Sequence, residues 1–254
     1  MIRMKQRRKS KSAVIYISVG TLLIIAIALL GISVFLRITE IEVTGASRYS
    51  EDDIILASGI SQGNNIMFLD TDNAVRRIRS EMPYINEVTV VPVPPDAIRI
   101  TVVESTAIAT IVDKNEVLLI DSSGRILARV DAAPKGLIEI VGFQPVDAEV
   151  GSRLRAALGS ETQLQYLTDV LVAFERAGIA DKVLYFDVGN ISNIRFGYSG
   201  RFTVILGGSG NALHKLTQLS TKIIPDIEEN DSTGANWTIN MSDPGGVWTW
   251  RLDL

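Results

Sequence analysis

Pro83-Tyr-Ile-Asn-Glu-Val-Thr-Val-Val-Pro-Val-Pro-Pro-Asp-Ala-Ile-Arg-Ile-Thr-Val-Val-Glu104 alternates apolar and polar residues on both sides of a proline-rich turn. Val88 and Val90 recur at a spacing of two before the turn; Ile98, Ile100 and Val102 do so after it. Successive side chains of a strand point to opposite faces, so this pattern predicts two strands, 85–93 and 97–103, each with one face on a core. Pro94, Pro95 and Asp96 supply the turn between them.

Immediately upstream the period changes from two to three and four. Val75, Ile78 and Met82 fall on one helical face, and Pro83, which lacks an N–H, stops that helix. Ser50 followed by Asp53 has the spacing of an N-cap with an acidic third residue; Ile54, Ile55 and Leu56 follow, and Gly59 marks the end. Residues 38–44, rich in β-branched side chains, end at Gly45 and predict a further strand. The order is strand, helix, helix, strand, strand.

Residues 1–12 carry Arg3, Lys5, Arg7, Arg8, Lys9 and Lys11 and no acid, and residues 13–35 carry no charge at all. A helix of that length rises about 35 Å, enough for a hydrocarbon core about 30 Å thick. Basic flanks resist translocation, so the expectation is a single membrane span over 13–35, with tail 1–12 in the cytoplasm and the rest exported. Ala26-Ile-Ala28 imitates a signal-cleavage site. Cleavage there would leave an apolar, purposeless new N-terminus, and the uncleaved anchor accounts for every residue. The formal charge of −4 combines 25 Lys and Arg with 29 Asp and Glu; six of the basic residues lie in the tail, so the remainder is near −10. An acidic exported portion argues against a nucleic-acid partner. With no cysteine, neither disulfides nor thiolate chemistry enter, and the fold must rest on apolar cores.

Downstream, short strands are expected at 107–113, 117–121 and 125–130, the last two joined through Ser122-Ser-Gly124. Asp121 in that setting is a turn residue rather than a metal ligand or acid. From Ser160, Leu164, Leu167, Leu171 and Phe174 recur at helical spacing, with Gln163 at the capping-box position and Gly178 as the stop. Strands at 183–188, 191–198 and 202–206 follow. A second helix over 212–224 begins after Asn211, ends at Pro225 and turns Leu213, Leu216 and Ile223 to the core. A final hairpin pairs 237–241 with 247–252 through Asp243-Pro-Gly-Gly246.

Ile41-Glu-Val-Thr-Gly45 with Ile54, Pro83-x-Ile85-x-x-Val88-x-Val90, and Pro95-x-x-Ile98-x-Ile100-x-Val102-x-Glu104 resemble the FtsQ-type POTRA domain in order and spacing. The pattern departs from that family at Ser105, where Arg commonly follows the Glu, and at Val93-Pro94, where a basic residue commonly precedes the proline. Leu119-Ile-Asp-Ser-Ser-Gly124 is similar to the signature of the same family's second domain. Val204-Ile-Leu-Gly207, Leu213-x-Lys215-Leu216 and Trp237-Thr-Ile-Asn240 extend the resemblance to the FtsQ/DivIB cell-division family over the whole chain. The expected fold class is α+β: one transmembrane helix, a β-α-α-β-β POTRA domain over 37–105, and a mainly antiparallel β domain with two helices over 106–254.

Catalytic patterns are not apparent. No Ser is followed three positions later by Lys. Gly207-Gly-Ser-Gly-Asn211 ends in Asn where a nucleophile elbow has Gly, and no Gly-x-x-x-x-Gly-Lys loop occurs. His214 is the sole histidine, placed on the polar side of its helix, which leaves neither a histidine metal site nor a triad. The expectation is a protein without enzymatic activity, cofactor or metal.

Gly246, Val247, Trp248, Thr249, Trp250, Arg251 and Leu252 are the candidate partner-binding residues. Two tryptophans one residue apart share a strand face, which either packs on the domain's own helix or anchors an incoming strand at a sheet edge. The family resemblance implies strand addition near the C-terminal hairpin by an FtsB/DivIC-type partner that pairs with an FtsL-type protein, acting indirectly on the septal peptidoglycan synthase complex at the division septum. The competing classes are a membrane-anchored cell-wall enzyme and a POTRA-type transport component.

Overall fold

The computed structural model describes residues 11–231, 233–243 and 245–253, so most of the basic tail, Pro244 of the last turn and the final residue lie outside it. The first helix, α1, runs Lys11–Phe35 over 25 residues. Its side chains are described over 15–27 and at position 31, and among the described residues no helix is long and apolar enough to cross a membrane. Internal contacts divide the chain into two units: residues up to Arg79 with Glu87–Glu104, and Ser80–Asn86 with Ser105 onward.

In the first unit, β1 (Glu40–Thr44), α2 (Glu51–Ser58), α3 (Thr71–Glu81), β2 (Ile85–Val93) and β3 (Ala97–Glu104) follow the predicted order, and the sheet runs β1-β3-β2. β1 lies parallel to β3, pairing Ile41 with Ile98 and Val43 with Ile100. Ser50 caps α2 as its spacing predicts, its hydroxyl accepting from the Asp53 N–H, and Gly59 closes the helix in the left-handed region. The buried face of α3 is Ala74 and Ile78, with Met82 buried just past its end and Val75 only partly covered. Gly45 adopts φ +87°, and a Cβ there would come within 2.0 Å of the Val102 carbonyl oxygen, so no other residue fits this crossing of β1 and β3.

Glu104 anchors the loop that follows Gly45. Its carboxylate accepts from the backbone N–H groups of Ser47 (3.0 Å) and Arg48 (2.9 Å) and from the Ser47 hydroxyl. Burial pushes its pKa up, but these hydrogen bonds, with Ser47 foremost, outweigh burial and hold it below the ordinary glutamate range.

The second unit is built on a sheet of nine strands: β4 (Ala109–Asp113), β5 (Glu116–Ile120), β6 (Ile126–Val130), β7 (Ile138–Val141), β8 (Val183–Asp187), β9 (Ile194–Tyr198), β10 (Phe202–Gly207), β11 (Trp237–Asn240) and β12 (Thr249–Leu252). Their order is β12-β11-β10-β9-β8-β7-β4-β5-β6. The sheet is mainly antiparallel, as expected, but mixed: β4–β7, β7–β8 and β10–β11 are parallel. β7, which sequence patterning passes over because only Ile138 and Ile140 alternate, sits mid-sheet between β4 and β8. The core cluster joins Phe186, Phe196, Val204 and Ile239 of the sheet to Leu167, Leu171 and Phe174 of α4 (Glu161–Arg176) and to Leu216, Leu219 and Ile227 of the last helical run. Phe174 meets Phe186 and Phe196 edge to face, with centroids 5.3 and 4.9 Å apart.

Three local expectations change. Gln163 does not close a capping box; its amide donates to the carbonyls of Gly142 (2.7 Å) and Val188 (2.8 Å), tying α4 to two strand ends. The last helix does not end at Pro225. It continues as α5 (Ala212–Gln218), a π-helical turn (Leu219–Ile223) and α6 (Ile224–Asn230), with Pro225 in the first turn of α6. The wider π turn relieves the clash and the missing donor that a proline brings to an uninterrupted α-helix. Leu213 is exposed; Ala212, Lys215 and Leu216 face inward.

Candidate functional site

Sequence order dictates that the last strand is added outside β11, and the registers show how. β10 and β11 are parallel, Phe202 opposite Trp237 and Val204 opposite Ile239, and the long return between them is the α5–α6 run. Asp231 fixes the end of that return. Its carboxylate accepts from the Thr233 backbone (2.9 Å) and hydroxyl and from the Trp237 indole (2.8 Å), and it pairs with the Arg201 guanidinium, whose Nε also donates to the Ala235 carbonyl (2.7 Å). The Thr233 and Trp237 hydrogen bonds, with Arg201 adding to them, hold the Asp231 carboxyl well below the usual carboxylate range. β11 is thereby positioned at its start.

β12 returns antiparallel, with Trp237 opposite Leu252, Thr238 opposite Arg251, Ile239 opposite Trp250 and Asn240 opposite Thr249. The N–H groups of Trp237 and Met241 donate to β10, to Arg201 (3.0 Å) and Ile205 (2.8 Å), so the backbone groups of Thr238 and Asn240 turn toward β12. Asp253 N–H donates to Asn236 (2.9 Å), which fixes the same alternation from the other strand. Thr249 and Arg251 therefore spend their backbone groups on β11. Those of Trp250 and Leu252 point away from the sheet, along its open end.

The turn before β12 is organised by Asp243, whose carboxylate accepts from Gly245 (2.9 Å) and Val247 (3.3 Å) and whose carbonyl accepts from Gly246, at φ +80°. Lys215, buried at 7% exposure, donates to the Leu206 carbonyl (2.8 Å). Burial lowers its pKa against the pull of Asp243.

The seven candidate residues divide. Trp248 precedes the strand and is half-buried against the core, its ring 6.2 Å from that of exposed His214. Its indole N–H is buried and meets no acceptor among the described residues, so this side chain contributes packing rather than a polar contact. Trp250 and Leu252 share the sheet face of Ile239 but remain 42% exposed, because among the described residues no further strand lies beyond β12. Gly246 and Val247 are exposed in the turn, and Thr249 and Arg251 are exposed on the opposite sheet face. There, with Ile205, Thr238, Asn240 and Trp250, they line a depression of about 240 Å³.

At the other end of the sheet the start of β6 is covered. Residues 146–153 fold along β6: Gly151 N–H donates to Ile126 (2.7 Å), Ile126 N–H to Ser152 (2.8 Å), and the Arg129 guanidinium to Ala148 (2.5 Å). Sequence patterning gives no sign of this cover, because residues 146–153 have no periodicity. Asp121, buried at 4% exposure, accepts from the backbone N–H groups of Ser123 and Arg125 (both 2.9 Å) as a turn residue does. Among the described residues no group of three or more His, Asp and Glu side chains has metal-binding geometry.

Comparison with known proteins agrees with this architecture. Residues 36–105 match the POTRA domain, FtsQ-type. The chain is 27% identical over 216 residues to the cell division protein DivIB of Clostridium botulinum, covering 85% of this chain and 82% of the relative. It is 28% identical over 219 residues to the cell division protein FtsQ of Streptomyces bingchenggensis, covering 82% and 80%. A third relative, FtsQ of Corynebacterium glutamicum, is 30% identical over 141 residues, 54% of this chain and 62% of that protein. The chain carries an FtsQ-type POTRA domain and, across most of its length, is homologous to the cell division proteins named DivIB and FtsQ.

Proposed function

We propose that this protein is a non-enzymatic, single-pass component of the bacterial division machinery that holds partners through the open edge of its C-terminal strand. In this reading residues 13–35 cross the membrane, tail 1–12 stays in the cytoplasm, a POTRA-like domain occupies 37–105, and 106–254 form the partner-binding β domain at the septum. The partner is an FtsB/DivIC-type protein paired with an FtsL-type protein, and through them the chain regulates septal peptidoglycan synthesis.

The observation that carries the reading is the asymmetry of the nine-stranded sheet. At one end residues 146–153 pair with the first residue of β6 and receive the Arg129 side chain, whereas β12 leaves the backbone groups of Trp250 and Leu252 directed outward beside two exposed apolar side chains. An uncapped edge is a template for another strand: its backbone groups supply affinity and its alternate side chains supply selectivity. Homology to cell division proteins supplies the setting.

The test is binding of the extracytoplasmic segment of a DivIC-type partner to the wild type and to Trp250→Asp and Leu252→Asp variants, with circular dichroism to verify folding. Loss of binding by folded variants supports the edge site. Unchanged binding by both would remove it.

A further inference from the structure

Residues 63–66 are strapped to the chain just after α1. Gly63 N–H donates to Ile38 (2.8 Å), Ile38 N–H to Asn64 (2.9 Å) and Ile66 N–H to Leu36 (2.9 Å), and Arg37 and Asn65 form an antiparallel bridge. The side chains of Asn64 and Asn65 stiffen this loop, accepting from Ser61 N–H and Met67 N–H, both at 2.9 Å. A single 3-10 turn, Ile66–Phe68, follows. Ile66 is buried, but Met67 and Phe68 stand 71% and 86% exposed.

Leu36 is the first residue beyond α1 and the last before Arg37 ends the uncharged stretch. A chain advances at most about 3.6 Å per residue, so the backbone of Phe68 lies within roughly 10 Å of the Leu36 carbonyl to which Ile66 is bonded. A bilayer's polar interfacial zone is about 5–8 Å deep on each side of the hydrocarbon. If residues 13–35 span the membrane, the exposed pair is held within reach of that zone.

We propose that Met67 and Phe68 form a second, non-spanning membrane contact: a wedge that enters the interfacial zone of the bilayer and fixes the first unit on the lipid surface. The inference rests on the anchorage reading above. Exposed Phe and other large apolar side chains of interfacial segments enter the headgroup and acyl boundary, and the continuity of the strap with the end of α1 points to lipid as the occupant. The nearest charges in sequence, Asp70 and Asp72, are acidic, and basic Arg37 lies across the bridge to Asn65. The contact is therefore apolar and does not require anionic lipid.

The chain has no cysteine, so a single introduced thiol carries a unique label. Full-length Met67→Cys and Ile24→Cys proteins, each labelled with an environment-sensitive fluorophore, are reconstituted in phosphatidylcholine vesicles containing nitroxide lipids. The expected result is quenching at position 67 by shallow nitroxides with protection from aqueous iodide, and quenching at position 24 by deep nitroxides. Adding Phe68→Asp to the Met67→Cys chain should abolish the shallow quenching. Quenching at position 24 with iodide access at position 67 overturns the wedge and leaves the anchor standing. Absence of quenching at both overturns the anchor and the wedge with it. Shallow quenching that survives Phe68→Asp makes the proximity passive and overturns insertion.

Discussion

At the scale of single residues, two carboxylates show how much of the molecule depends on side chains closing loops. Glu104 gathers the N–H groups of Ser47 and Arg48, and its folded pKa lies below the ordinary value. Its contribution is complete above about pH 4.5 and is lost as pH falls through the folded value. Replacing it with Gln should destabilise the first unit by about 1–2 kcal/mol at neutral pH, since charge-assisted hydrogen bonds are worth more than neutral ones but this group is partly solvated. Thermal denaturation at pH 7 and pH 3 checks this, with the difference between variant and wild type shrinking at the lower pH. Asp231 follows the same sign. Held well below the carboxylate range by Thr233, Trp237 and Arg201, it stabilises the second unit above about pH 4 and ceases to do so as pH falls through its depressed folded value. Asp231→Asn should remove that part of the acid sensitivity, read from denaturant midpoints across pH 2–6. The tryptophans should separate by assay: Trp248→Ala should lower stability by about 2–3 kcal/mol through lost packing, while Trp250→Ala should leave stability nearly unchanged and weaken partner binding about 30-fold, as a truncated aromatic anchor worth about 2 kcal/mol does.

At the scale of elements, the alternation along β12 gives a directional prediction. Leu252 turns its N–H outward, so Leu252→Pro should cost the folded protein little while removing a donor from the incoming strand. Arg251 turns its N–H to Thr238, so Arg251→Pro should destabilise the hairpin by about 1 kcal/mol or more. Urea unfolding and partner titration on the same two variants distinguish them. The elements also show what sequence can carry. Ser50, Gly59, Pro83 and the alternation of Ile98, Ile100 and Val102 are local signals, and each stands where its spacing places it. β7 escapes because a strand of four residues, with only Ile138 and Ile140 buried, is too short to display its alternation. Gln163 misleads because its partners, two strand-end carbonyls, lie far in sequence; Pro225 misleads because the π turn just before it carries the helix past the proline. The final hairpin is legible from Asp243 and Gly246, but the difference between half-buried Trp248 and exposed Trp250 is not, since it depends on where β12 begins and on what the last helical run covers.

At the scale of the whole molecule, each unit has its own sheet and its own core, and the homologues across most of the chain are cell division proteins. In the nine-stranded sheet residues 146–153 pair with the start of β6, whereas Trp250 and Leu252 of β12 direct their backbone groups outward; on the proposed reading, association occurs at β12. Hydrogen exchange of the full-length chain, followed amide by amide with and without the extracytoplasmic segment of a DivIC-type partner, tests this most directly. Slowed exchange at Trp250 and Leu252, with β6 unaltered, is the predicted result; binding that leaves both amides exchanging at their free rates would contradict it.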